Sequence, residues 1–177
     1  MQLSHIATLG RYDKYRAQAR ELAHSSLPPK LKRDLAISNI TNRELASFKS
    51  WQYNPDRKVE WDWVFANRYC TVYPKALDMS VWFGNKLCSL SLGRPTYKGT
   101  EMRLDFIERT PDNCPHAGEM FRISLLAYEL YGELIGAKKL RIMEPMNKKL
   151  INHYTSYGGF TMVNSKKGVP HYLVREL

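Results

Sequence analysis

Cysteine is scarce in this 177-residue chain: Cys70, Cys88 and Cys114 are its three, an odd number at wide spacing. That pattern argues against a disulfide framework and against a C-x-x-C redox or zinc unit, and it predicts free thiols in a reducing compartment. No pair among the three cysteines and five histidines has metal-ligand spacing, so no metal site is expected. Long apolar runs are missing too, since no stretch approaches the roughly 18 uninterrupted residues of a membrane span. The N-terminus, Met1-Gln2-Leu3-Ser4-His5, lacks the basic and apolar regions of a secretory signal. A cytoplasmic protein with no membrane partner is expected. Repeats, low-complexity tracts and an evident linker are absent, and a chain of 177 residues builds one core more readily than two. One domain over residues 1–177 follows. Acidic residues are also few: 17 against 27 Lys plus Arg, for a formal charge of +10. The expected partner is anionic, such as nucleic acid, an acidic protein or a phosphorylated cofactor, although a basic solvated surface carries the same charge.

What is present is a legible order of elements. Residues 11–24 are strong helix formers stopped by Ser25-Ser26-Leu27-Pro28-Pro29. A second helical region is predicted from Pro29 into the forties, where Thr41-Asn42-Arg43-Glu44 has the form of a capping box. The aromatic-rich stretch 51–75 fits helix or strand. Leu77 to Phe83 reads as a strand, Gly84-Asn85 as a turn, and Leu87 to Leu92 as the returning strand. Residues 100–108 alternate Met102, Leu104 and Phe106 with Glu101, Arg103 and Asp105, which completes a three-strand antiparallel meander. After the loop 110–115, Ile123, Leu126, Leu130 and Leu134 mark a helix that Gly136 ends. Lys139 to Met143 is the next strand. A short helix opens at Pro145 and Asn147 and stops at Gly158-Gly159, and residues 160–163 and 171–174 form a terminal hairpin.

The last third carries the most specific pattern. Asn147, an apolar helix, Tyr154, three residues and Gly158-Gly159-Phe160 resemble the closing motif of the Gcn5-related N-acetyltransferase (GNAT) superfamily, and the element order is similar over nearly the whole chain. The resemblance implies an α/β (α+β) fold, with a central mixed, mostly antiparallel sheet flanked by helices. It also implies acetyl-CoA, or another acyl-CoA, as co-substrate and an amine-bearing acceptor. The family's phosphate loop, Arg or Gln, two residues, Gly, one residue, Gly or Ala, is met only in part: Gly118 stands for the central glycine, but Pro115 holds the Arg/Gln position and Met120 the second small one.

Acyl transfer needs a thioester with a polarised carbonyl, a neutral amine and a proton source for the thiolate. The resemblance assigns the carbonyl-polarising and pantetheine-holding amides to Ile107, Glu108 and Arg109, and the pyrophosphate to His116, Ala117, Gly118, Glu119 and Met120, where a helix N-terminus offers unpaired N–H groups. Arg122 lies within reach of the same end, and Asn147 completes the cofactor set. Tyr154 resembles the family's general acid; the alternatives are that it packs in the core or that Tyr157 is the functional ring. Strict alternation places Asp105 with Glu101 on one strand face and Glu108 on the other, and Asp105 and Glu108 are the candidate bases. Those charges line an acceptor groove or pair with Arg103. His116 either meets phosphate or is an exposed turn residue, and Trp61 and Trp63 fill the core in preference to walling a pocket. An N-acyltransferase is the resulting expectation, with a homodimer compatible with the aromatic middle. The rival is a non-catalytic module on the same fold that holds nucleic acid or protein.

Overall fold

The computed structural model describes residues 3–177; Met1 and Gln2, part of the N-terminal stretch considered for a targeting signal, lie outside the described residues. The first helix is α1 (Leu3–Ser25). It buries the stripe Tyr12, Arg16, Ala19 and Ala23, spaced three and four residues apart as one helix face requires. Arg16 is tolerated there because its guanidinium donates to the carbonyls of Pro74 at 3.0 Å and Ala76 at 2.9 Å. The Pro28-Pro29 break admits only the four-residue α2 (Pro29–Lys32), with proline at its first position.

The continuous helical region expected from Pro29 is not formed. Residues Leu35–Ser38 are instead strand β1, antiparallel to β2 (Leu77–Phe83). Leu35 joins an apolar cluster with Leu27, Leu31 and Val81, and that tertiary burial overrides local helix preference. Helix α3 (Asn42–Gln52) then starts on the expected capping box of Thr41 and Glu44. Glu44 is buried: burial alone would raise its pKa, but hydrogen bonds from Thr41 and Trp82 outweigh it and hold the carboxyl below its ordinary value. The ambiguous stretch resolves into turns and α4 (Phe65–Val72).

Strands β3 (Lys86–Pro95) and β4 (Glu101–Arg109) complete the meander. A one-turn 3-10 helix (Ala117–Glu119) leads into α5 (Met120–Leu134), followed by β5 (Lys139–Met143), α6 (Lys148–Thr155), β6 (Thr161–Val163) and β7 (Tyr172–Glu176). The sheet order is β1-β2-β3-β4-β5-β7-β6, and β4 with β5 is the parallel pair. Mixed and mostly antiparallel, this is the expected sheet. One face, here the inner face, is closed by α1, α5 and α6 through Tyr12, Phe121, Tyr128, Tyr154 and Leu140. The opposite, outer face carries α3 and α4 over the β2–β3 half, with Phe48, Trp51, Trp63 and Trp82 between.

One expectation about the cysteines is corrected. Cys88 and Cys114 form a disulfide with Cα atoms 6.1 Å apart, and Cys70 is the free cysteine. The amide of Thr110 donates to Cys88 O at 2.8 Å, so the meander returns the chain beside Cys88 just before Cys114. A sequence separation of 26 conceals that proximity.

Candidate active site

The site is built where β4 and β5 part. Their parallel register runs from Glu101↔Lys139 to Leu104↔Ile142 and ends, while β4 continues to Arg109. The chain leaves β5 through Glu144, whose φ is 44° and whose amide turns to His171 O at 3.0 Å. The β5-side edge of residues 105–109 therefore has no partner strand among the described residues. Backbone polar groups rarely stay unpaired unless water or a ligand meets them. Ile107 packs against the inner-face cluster, Glu108 is buried on the outer face, and Arg109 is exposed at the strand end.

The loop before α5 passes this end of the sheet. His116 has φ 53°, uncommon for a residue other than glycine, and its ring leans on Phe83 with centroids 5.3 Å apart. Ala117 and Met120 face the apolar cluster that also contains Cys114, so of Met120 only the backbone is placed to meet a ligand. Glu119 pairs with Arg122 at 3.3 Å. The φ of Gly118 is not in the left-handed range, and a Cβ built on it would meet no heavy atom within 4 Å. Nothing in the fold demands glycine there, and the space beside it is open, as it is at Gly10.

Tyr154 lies on α6, stacked on Phe121 with centroids 4.1 Å apart. Burial pushes its phenol up to about 12. Its hydroxyl makes no hydrogen bond within the described residues and is open to solvent, although the ring is buried. Tyr157, half-buried and also raised by burial, meets the edge of Phe121 at 5.1 Å. Asn147 is the α6 N-cap: its Oδ1 accepts from the Leu150 amide at 2.9 Å.

The two candidate bases are brought together, contrary to strict alternation. The β3–β4 register passes from Leu92↔Phe106 to Gly93↔Leu104, leaving Asp105 as a bulge. One extra residue inverts the parity beyond it. Phe106 and Glu108 thus share the outer face with Arg103 and Asp105. Glu108 accepts from Arg57 at 2.6 and 3.0 Å and from Trp63 Nε1 at 2.7 Å. Asp105 accepts from Arg103 at 2.9 and 2.6 Å and from the Tyr69 hydroxyl at 2.5 Å. Burial and then the Asp105 charge raise the Tyr69 phenol far above its ordinary value. Trp63 is a core residue, and Trp61 packs edge-on to Phe106 at 5.2 Å. Sequence reasoning missed Arg57 and Tyr69, since both meet β4 only through tertiary folding.

The seven-stranded, mostly antiparallel sheet flanked by helices matches the fold of GNAT acetyltransferases. Solved structures agree. The ribosomal-protein-S18-alanine N-acetyltransferase from Escherichia coli superposes with a TM-score of 0.57 at 17% identity, over 81% of this chain and 92% of that one. An acetyltransferase from Thermus thermophilus gives 0.59 at 16% identity, over 81% and 97%. The PaiA N-acetyltransferase from Thermoplasma acidophilum, in complex with coenzyme A, gives 0.56 at 11% identity, over 81% and 99%. Neither a family model nor a curated protein sequence matches the chain. At these identities the likeness is one of fold. No helix among the described residues is long and apolar enough to cross a membrane.

Proposed function

We propose that this protein transfers an acyl group, with acetyl the simplest case, from a CoA thioester to an amine. The observation that carries the reading is the unpaired β5-side edge of β4 beyond Leu104. That edge supplies backbone groups of Ile107, Glu108 and Arg109 for pantetheine and for the thioester carbonyl. The amides of residues 116–118 and the positive end of α5 would receive the pyrophosphate, the Glu119 amide being already bonded to His116 O, with Gly118 giving it room and Arg122 its charge. Two of the solved neighbours above are N-acetyltransferases, one with coenzyme A bound, which supports the choice of donor.

In the reaction, the amine lone pair forms the new C–N bond at the thioester carbon, the C–S bond breaks, and the thiolate must be met by a proton or a hydrogen bond. Tyr154 is the donor assigned to that sulfur. At about 12 its phenol lies above a thiol with a reference value of about 8.5. Full proton transfer from it is uphill, so it stabilises the thiolate by donation, and the protonated nitrogen of the tetrahedral adduct gives up the proton as the neutral amide forms. Both oxygens of Asp105 and both of Glu108 already accept hydrogen bonds from Arg103, Tyr69, Arg57 and Trp63, so neither presents a free oxygen to the acceptor. Solvent takes the proton from the ammonium form of the acceptor before the amine attacks.

Calorimetric titration with acetyl-CoA tests this, alongside Gly118→Trp, which fills the space above the loop. Micromolar binding by the wild type that is lost in the folded variant is the expected result. A folded wild type that binds no acetyl-CoA overturns the reading. The departures at Pro115 and Met120 favour one second reading, a nucleic-acid-binding module on this fold, whose affinity would fall about a thousandfold or more between 50 and 200 mM salt.

A further inference from the structure

Arg94, Arg103 and Arg141 stand in one row across three adjacent strands. The register pairs Arg94 with Arg103 and Arg103 with Arg141, so all three side chains leave the same outer face. Like charges placed directly opposite one another weaken a sheet, and the row has two carboxylates to three guanidiniums. Asp105 accepts from Arg103 and lies 3.9 Å from Arg94, and Glu101 forms an ion pair with Arg141. The compensation is incomplete. The Nε–H groups of Arg94 and Arg141 are buried and meet no acceptor among the described residues. Each such donor is a cost to the fold, and the exposed part of each guanidinium remains for an outside group to meet.

The row is also presented. Arg94 stacks over Tyr73 at 3.7 Å and Arg141 over Tyr172 at 4.2 Å, which fixes two planar guanidiniums on aromatic shelves. Their side chains keep 30% and 19% exposure, and Arg103 keeps 27%. Helices α3 and α4 pack over the β2–β3 half of this face, and the row begins where that cover ends. Along β4 it lies immediately before the Asp105 bulge, hence just before the strand edge assigned to the thioester.

We infer that this arginine row is the anion-recognition element of the acceptor site, and that the acceptor is an amine carrying an oxyanion, a carboxylate or a phosphate. The inference rests on the acyltransferase reading for the word acceptor; the oxyanion site stands on the row itself. Planar guanidiniums match the geometry of both groups, so the chemistry is shared and the experiment separates its sources.

Release of CoA thiol is measured with two matched pairs of amines, hexylamine against 6-aminohexanoate and glucosamine against glucosamine 6-phosphate, for the wild type, Arg94→Gln and Arg141→Gln. Acetyl-CoA affinity serves as the control for folding. The anionic member of one pair is expected to have a KM lower by about tenfold or more, the effect of one charge-assisted contact. Which pair shows it identifies carboxylate or phosphate. The preference should collapse in both variants while acetyl-CoA affinity stays within about twofold. Equal use of both members of both pairs, or a preference that survives both substitutions, overturns the inference. Calorimetry with inorganic phosphate and with acetate covers the case of no turnover. Binding by the wild type that is lost in the variants retains the anion site while removing acyl transfer, and no binding of either ion removes the site.

Discussion

Two polar side chains lie on opposite sides of the sheet, Glu108 on the outer face and Tyr154 on the inner, and the protein treats them oppositely. Glu108 on the outer face is saturated, with two bonds from Arg57 and one from Trp63. Tyr154 on the inner side is buried against Phe121 and its hydroxyl has no partner among the described residues. A saturated group holds structure, because each of its bonds ties another element to β4. A hydroxyl left open to solvent ties no element down and is free to meet a ligand. The contrast therefore separates the clamp from the chemistry.

Breaking the clamp should have the largest effect. Arg57→Met leaves the Glu108 carboxylate buried without its counter-charge, a change worth about 3–5 kcal/mol when a buried pair loses one member. Urea unfolding should show that loss, and Arg57→Met combined with Glu108→Gln should recover much of it because no bare charge remains. If the single variant unfolds at the wild-type midpoint, Glu108 is not a clamp and a role as base regains its place.

The Cys88–Cys114 bridge tests the next level, because it fastens the loop before Gly118 to β3. Reduction, or Cys114→Ala, should cost about 2–4 kcal/mol. The same treatment should weaken acetyl-CoA binding while leaving the outer-face network intact. Equal stability with and without reductant would show that the loop is held by Met120 and its apolar neighbours alone. In a reducing cytoplasm the pair would be open, so the oxidised and reduced proteins are both worth measuring.

Much of this was written locally in the sequence. The Gly84-Asn85 turn, the capping box at Thr41 and the apolar spacing of α5 each rest on neighbours a few residues apart, and each element formed where that spacing put it. The errors share one cause. Strand β1 has four residues, too few to display a period, and pairs with β2 some forty residues on. The Asp105 bulge leaves no mark in the alternating residues around it, yet it decides that Glu108 joins Asp105 on one face. The disulfide and the arginine row exist only once register is known, since Arg94, Arg103 and Arg141 show no motif spacing. Of the candidate site, the residues from one loop or helix were legible; the partners that define their chemistry, Arg57, Tyr69 and Arg141, were not.

The smallest expected change in stability, and the sharpest on function, is Tyr154→Phe. Removing a hydroxyl that has no partner leaves the stack on Phe121 intact and should move the unfolding midpoint little, within about 0.5 kcal/mol. The rate of acyl transfer should fall by about a hundredfold or more if the phenol meets the thiolate. The alternative ring is tested by Tyr157→Phe, which should leave the rate near wild type. The pH dependence follows from the same burial. With its pKa raised to about 12, Tyr154 keeps its proton throughout the working range, so kcat/KM should rise with the neutral fraction of the amine and show no alkaline fall below about pH 11. The sign for stability is opposite. Between the ordinary phenol value near 10 and the folded value, the unfolded chain releases a proton that the folded chain retains. The stability present below pH 10 is therefore lost as pH climbs toward 12, by about 1.4 kcal/mol per unit for this group. Tyr154→Phe should flatten part of that loss. A rate that instead falls near pH 9 would assign the donor to a group of lower pKa than Tyr154.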